Sequence, residues 1–229
     1  MKSRLLICGG LALVLVATYA ASTLTKKTVE ERVKQYGPGA RARLEPHFKK
    51  AALTYPPTRL MLVGIKDERR LELHGAGSDG KWKFLRDYPV LAASGELGPK
   101  LCEGDRQVPE GIYVIELLNS NSRFHLSLRV GYPNAFDRAK AAADGRDKLG
   151  GDIMIHGSNV SIGCFAMGDE AAEDLFVLAA DTGLPNITVI LSPMDFRKGK
   201  SVPKGTRLPP WAAALYSQIQ TNLAAVPLP

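Results

Sequence analysis

The chain has 229 residues, 45% apolar and 23% charged, a globular balance that excludes a disordered polymer. Its formal charge is +7, yet its 30 Lys and Arg are dispersed among 23 Asp and Glu. No basic run carries interleaved aromatics, so nucleic acid is not an expected partner. A mild positive excess suits an anionic polymer or a membrane surface instead.

Lys2 and Arg4 precede an uncharged apolar run, residues 5–21, that ends in small residues. A basic head followed by a short apolar stretch is the pattern of an export signal. The run is also near the lower limit for a bilayer-spanning helix. Residues 1–21 are therefore expected to be a signal peptide or a membrane anchor, which places the protein in the periplasm.

Residues 22–57 read as a helical linker, with two short amphipathic helices in 28–53 separated at Gly37-Pro38-Gly39. After Pro56-Pro57 the pattern turns to strands, at 59–65, 70–74, 82–93, 111–117, 123–130, 152–156 and 187–191. Helices are expected at 169–182 and 211–223, with a weaker one at 136–143. The reading is a mainly β domain with flanking helices (α+β) over 58–195, followed by a Pro-rich, helical extension over 196–229.

Two motifs are decoys. Gly75-Ala76-Gly77-Ser78-Asp79-Gly80 matches a dinucleotide fingerprint, but an alternating strand pattern follows it where a helix would have to open. It reads as a hairpin turn. Asn159-Val160-Ser161-Ile162-Gly163 nearly matches the hydrolase elbow but lacks its first glycine and its strand–turn–helix setting.

Chemistry concentrates in 151–167. Ile153 and Ile155 form a buried strand that delivers His156 at its end, and Gly157 permits a sharp turn. The chain returns to Gly163-Cys164, where backbone N–H groups lie open to a substrate carbonyl, the requirement of an oxyanion hole. A helix follows, with Asp169 as its expected cap. A thiol near a helix N-terminus and an imidazole is expected to have a lowered pKa. Thiolate beside imidazole is the minimum for nucleophilic acyl transfer.

A lone strand-end histidine or a lone buried cysteine is ordinarily structural. It is the pairing, with glycine beside each, that favours chemistry. Cys102 has no neighbouring histidine and reads as structural. A Cys102–Cys164 disulfide is the unremarkable alternative for an exported chain, and it would block the nucleophile. Asp152 lies too far along an extended strand to reach His156, so a backbone carbonyl, Ser158 or Ser161 is the better partner for the second ring nitrogen. His47, His74, His125 and His156 have no metal-ligand spacing, so no metal or other cofactor is expected.

These residues resemble the L,D-transpeptidase catalytic domain, or YkuD domain. The resemblance lies in His156-Gly157 followed by Ser161-Ile162-Gly163-Cys164, and in Pro109-Glu110-Gly111-Ile112-Tyr113. The YafK-like branch is closer still, through Leu97-Gly98-Pro99-Lys100, Glu103-Gly104-Asp105, Tyr132-Pro133-Asn134 and Gly163-Cys164-Phe165-Ala166-Met167. Two departures stand out: Ile162 replaces a histidine that most members carry, and the loop from His156 to Cys164 is short.

The resemblance implies an L,D-transpeptidase-like mixed β-sandwich, here with an N-terminal helical extension. It also implies Cys164 as nucleophile, His156 as general base, an oxyanion site near Gly163 and a supporting role for Ser161. The implied substrate is a peptidoglycan stem peptide: a thioester forms at diaminopimelate and is resolved by an amine or by water. Acylation of the cysteine by carbapenems is implied too. An L,D-carboxypeptidase or an amide hydrolase acting on a wall-attached lipoprotein is an alternative, as is a wall-binding protein without catalysis. A redox or metal protein using Cys102 and Cys164 is a further class. Arg123, Arg129 and Arg138 are candidates for stem carboxylates, and Tyr132 and Asn134 for the cleft rim.

Overall fold

The apolar run at 60–65 is buried on both faces because it lies in mid-sheet. It forms β1 (Arg59–Ile65) in a computed structural model that describes residues 26–161 and 163–229. The expected signal or anchor at 1–21 lies outside these residues, as does Ile162. Leu60 and Leu62 enter one hydrophobic core, while Met61, Val63 and Ile65 enter a second on the opposite face. A strand covered on both sides must be apolar throughout, which is why its sequence does not alternate.

The other strands are β2 (Arg70–Ala76), β3 (Trp82–Pro89), β4 (Gly111–Ser122), β5 (His125–Val130), β6 (Met154–His156), β7 (Phe165–Ala166) and β8 (Ile187–Ser192). Their order is β3-β2-β1-β8-β4-β5-β6-β7, with β1–β8 and β6–β7 parallel and the other pairs antiparallel. The expected strand at 82–93 stops at Pro89, and Ala92 makes an isolated bridge to Ala166. The glycine-rich decoy is indeed the turn between β2 and β3, closed by Gly80 N–H donating to the Gly77 carbonyl.

Strand β4 sets the shape. Gly111–Val114 pair with β8, and the remainder pairs with β5 through two register irregularities. Such bulges bend a strand, and the sheet curls around α3 (Asp169–Thr182). Leu175, Phe176 and Leu178 of α3 pack against Leu126, Leu128, Ile155 and Phe165 in the main core. On the opposite face, α4 (Ala212–Leu223) packs Leu215, Tyr216 and Ile219 over β1 and β8. The result is a mixed sheet with flanking helices, the fold class expected.

The N-terminal region corrects one expectation. In place of two short helices there is one, α1 (Val29–Lys50), continuous through Pro38 and Pro46. An interior proline costs about 3 kcal/mol, and tertiary contacts offset it. Gly37, Ala40, Leu44 and Phe48 bury one face against the domain, and Arg41 makes a two-point ion pair with Asp181 of α3 at 2.8 Å. Arg43 pairs with buried Asp174 at 2.7 Å. Thr28 and Glu31 close a reciprocal capping box at the start.

Candidate active site

Strands β6 and β7 lie side by side in parallel, with Ile155 opposite Phe165 and His156 opposite Ala166. The chain leaves β6 at His156, loops and re-enters just past Cys164, so one short segment carries both reactive side chains. Gly157 makes that turn possible. A Cβ there would sit 2.6 Å from an Asp169 carboxylate oxygen and 2.9 Å from the Phe124 carbonyl. The same Asp169 oxygen accepts the Ser158 N–H at 2.8 Å. Asp169 therefore ties down the loop and does not cap α3, whose N-cap is Gly168 without a side-chain bond.

His156 is buried, and its Nδ1 lies 2.6 Å from the Gly157 carbonyl oxygen. A carbonyl only accepts, so Nδ1 carries the proton and Nε2 keeps the lone pair. Of the three partners considered, the structure selects the backbone carbonyl. Phe124, from the β4–β5 hairpin, lies over the ring at 4.8 Å between centroids. Burial lowers the imidazole pKa, and the Gly157 carbonyl partly opposes it. The ring is neutral at pH 7, in the form that a base requires.

Cys164 is a half-buried free thiol at the wall of a cleft of about 300 Å³, lined also by Lys100, Arg106, Gly151, Asp152 and Gly163. Its Sγ accepts the Met154 N–H at 3.4 Å and faces the Asp152 carbonyl at 3.8 Å. Among the described residues no hydrogen bond joins Sγ to the imidazole. The expected lowering of the thiol pKa is overturned. Burial raises it, the Met154 N–H lowers it, the Asp152 charge raises it and Lys100 lowers it. The helix dipole does not reach the sulfur, because β7 separates Cys164 from the start of α3 and the dipole fades within a turn. Alkylation of Cys164 by iodoacetamide is therefore expected to keep accelerating beyond pH 9, since each rise in pH below the thiol pKa adds thiolate. A plateau by pH 7 in a Cys102→Ser background would contradict this geometry.

Two serines hold the segment that bears the nucleophile. Ser161 Oγ accepts the Cys164 N–H at 2.9 Å and donates to the Cys164 carbonyl at 2.6 Å. Ser94 Oγ accepts the Gly163 N–H and donates to the Arg106 carbonyl at 2.8 Å. Gly163 has φ +97°, a conformation that L side chains rarely adopt. The N–H groups of 163 and 164, expected to be open to an oxyanion, are both covered by hydroxyls.

Of the other expected residues, Arg123 is exposed at the hairpin tip next to Phe124. Arg129 pairs with Asp152 at 3.4 Å, close to the thiol, whereas Arg138 is an exposed residue on α2 (Ala135–Ala143). Tyr132 and Asn134 do not form a rim. Tyr132 is buried with its hydroxyl 3.3 Å from the Leu149 carbonyl. Asn134 caps α2 and donates to the Ile112 carbonyl at 2.9 Å. Cys102, read as structural, is exposed, and its thiol forms no disulfide. Ser94 and Phe124 escaped the sequence reading because their neighbours in sequence carry no chemical pattern, and Lys100 stood in a quoted motif without a role assigned to it. Among the described residues no three His, Cys, Asp or Glu side chains gather to hold a metal ion.

A curled mixed sheet that offers a strand-end histidine and a Ser-x-Gly-Cys loop on one short segment defines a class of cysteine-bearing domain. The L,D-transpeptidase catalytic domain (YkuD) matches residues 59–202, and the chain belongs to that family. It is 35% identical over 134 residues to Escherichia coli K12 YafK, to which L,D-transpeptidase activity is provisionally ascribed. The match covers 56% of this chain and 52% of YafK, so the chain spans about half the length of the curated relatives it matches. Among solved structures, the helical cell shape determining protein Pgp2 of Campylobacter jejuni aligns over 59% of this chain and 48% of its own. That alignment has 22% identity and a TM-score of 0.49. Bd1075 of Bdellovibrio bacteriovorus aligns over 75% and 56%, with 18% identity and a TM-score of 0.44. No residue role passes to this chain from either likeness.

Proposed function

We propose that the protein is an exported, peptidoglycan-modifying cysteine acyltransferase of the L,D-transpeptidase type. The observation that carries this reading is a neutral, buried imidazole at the C-terminal end of β6 and, diagonally across the parallel pair, a free thiol just before the start of β7 that is open to a cleft. His156 takes the Cys164 proton as sulfur attacks the stem-peptide carbonyl at diaminopimelate. A carbon–sulfur bond forms, the carbon–nitrogen bond to the terminal D-alanine breaks, and the proton passes to the leaving amine. An acceptor amine then attacks the thioester, yields its proton to His156 and releases the thiol. Water in place of the amine gives hydrolysis.

The raised thiol pKa makes the imidazole necessary, because little thiolate exists before substrate binds. Substrate must also draw the Gly163 and Cys164 N–H groups from their serines, so that both donors face the developing oxyanion. Arg123 is the candidate for a stem carboxylate, with Arg129 tuning Asp152 at the cleft. Tyr132 and Asn134 act through the scaffold. A wall-attached lipoprotein is a second candidate substrate, and residues 1–21 supply export or attachment to the membrane.

Incubating the purified protein with a disaccharide-tetrapeptide tests the reading. A crosslinked dimer is the result expected of transfer, and loss of the terminal D-alanine without a dimer that of hydrolysis. The reading fails if neither product forms and intact mass shows no adduct after carbapenem treatment.

A further inference from the structure

The tip of the β4–β5 hairpin carries Phe124, whose ring covers the His156 imidazole. The strand ladder alone is a poor hold on that tip. Pairing is irregular between Asn119 and Ser122, and His125 has φ +70°, a conformation uncommon outside glycine. Backbone in that region persists where the surrounding structure imposes it. The hold has to come from outside the ladder.

The N-terminal end of α1 supplies it, together with Lys27 just before the Thr28 cap. The Lys27 N–H donates to Asn121 Oδ1 at 2.8 Å, and Asn121 Nδ2 donates back to the Lys27 carbonyl at 2.7 Å. Ser120 Oγ donates to the same carbonyl at 2.6 Å, and Arg32 Nε donates to the Ser120 carbonyl at 2.9 Å. One turn further along, the Tyr36 ring meets the His125 ring edge-on, 5.0 Å between centroids. His125 also bonds Glu173 of α3 at 3.0 Å, and Glu173 pairs with Arg43 of α1 at 2.9 Å. On its other side the tip abuts the end of β6, where the Gly157 N–H donates to the Leu126 carbonyl at 3.1 Å. A tip held between α1 and the turn after His156 passes any shift on to Phe124 and the imidazole.

Charged and titratable groups stand on the elements around the ring: Arg123 and His125 at the hairpin, Arg129 on β5, Cys164 before β7, and Asp169 and Glu173 on α3. None of them is a cause of the lowered imidazole pKa, which comes from burial, opposed by the Gly157 carbonyl. Phe124 supplies part of that burial, so its placement affects how readily the ring takes a proton. We infer that the N-terminal end of α1 is a strap for the active site: through Ser120, Asn121 and His125 it fixes the hairpin tip, and with it Phe124, over the His156 imidazole. Ser120 and Asn121 are positioning residues that act on the base through Phe124. The role given to the base rests on the acyl-transfer reading above, whereas the strap does not.

NMR titration of the His156 imidazole in the full chain tests the strap. Phe124→Ala removes the cover and is expected to raise the imidazole pKa toward ~6.5, the ordinary histidine value. The double variant Ser120→Ala/Asn121→Ala removes the three side-chain bonds to Lys27. It should move the pKa in the same direction by a smaller amount. The acid limb of Cys164 acylation by a carbapenem should move up with it. Arg41→Gln is the control: it loosens α1 at Asp181, away from the hairpin, and should lower the melting temperature without moving the pKa. An unchanged pKa in Phe124→Ala or in the double variant overturns the proposal, as does an Arg41→Gln variant that shifts it equally. If the pKa moves as expected but the wild type forms no acyl adduct, the strap stands and the acyl-transfer reading falls.

Discussion

Replacing Cys164 by serine is expected to eliminate the acyl-enzyme, and replacing His156 by glutamine to slow its formation about 10²- to 10⁴-fold. The two losses have different pH signatures. In the wild type, acylation is expected to fall as pH drops through the imidazole pKa, because a protonated ring cannot accept the thiol proton. Burial lowers that pKa, so the fall lies below the ordinary histidine range. His156→Gln should lose this limb and recover toward high pH, where thiolate forms without a base. The thiol pKa is raised, so recovery should begin only in alkaline solution. The rate of mass-adduct formation from pH 5 to 10 measures all of this. A glutamine variant with the wild-type rate and profile would remove His156 from the mechanism.

Glu110→Ala is expected to cost about 3–5 kcal/mol of stability, because it strands a buried cation. Glu110 is fully buried and accepts from Lys66 Nζ at 2.8 Å, the Gly98 N–H at 2.7 Å and the Tyr216 hydroxyl at 2.8 Å. It thereby links the end of β1, the loop before β4 and the C-terminal helix α4. Lys66 is itself 7% exposed and, among the described residues, has only the Gly98 and Val108 carbonyls besides. A chain of this size should lose on the order of 10 °C in melting temperature. Pairing the change with Lys66→Met should recover much of the loss, since removing both charges avoids the stranded ion. Calorimetry of the single and double variants checks it, and equal melting temperatures for wild type and Glu110→Ala would refute the network.

Hydrophobic pattern and glycine placement were sufficient to locate most strands, to expose the dinucleotide-like string as a hairpin, and to bring His156 and Cys164 onto one segment. Each of these depends on side chains a few residues apart, where spacing alone decides which face a residue takes. The helix through Pro38 was not legible, because a local rule breaks it and distant partners at Asp174 and Asp181 restore it. Tyr132 and Asn134 sit in a motif near the site, yet what buries one and commits the other comes from Leu149 and Ile112.

The sequence by itself determined the family and a mainly β architecture with flanking helices, and it set His156 and Cys164 on one segment, since all of this is written in short-range order. Only the tertiary structure decided the protonation tendencies of His156 and Cys164 and the covering of the backbone donors by Ser94 and Ser161. Desolvation and strand register are properties of residues far apart in the chain, and neither exists until the sheet has closed around α3.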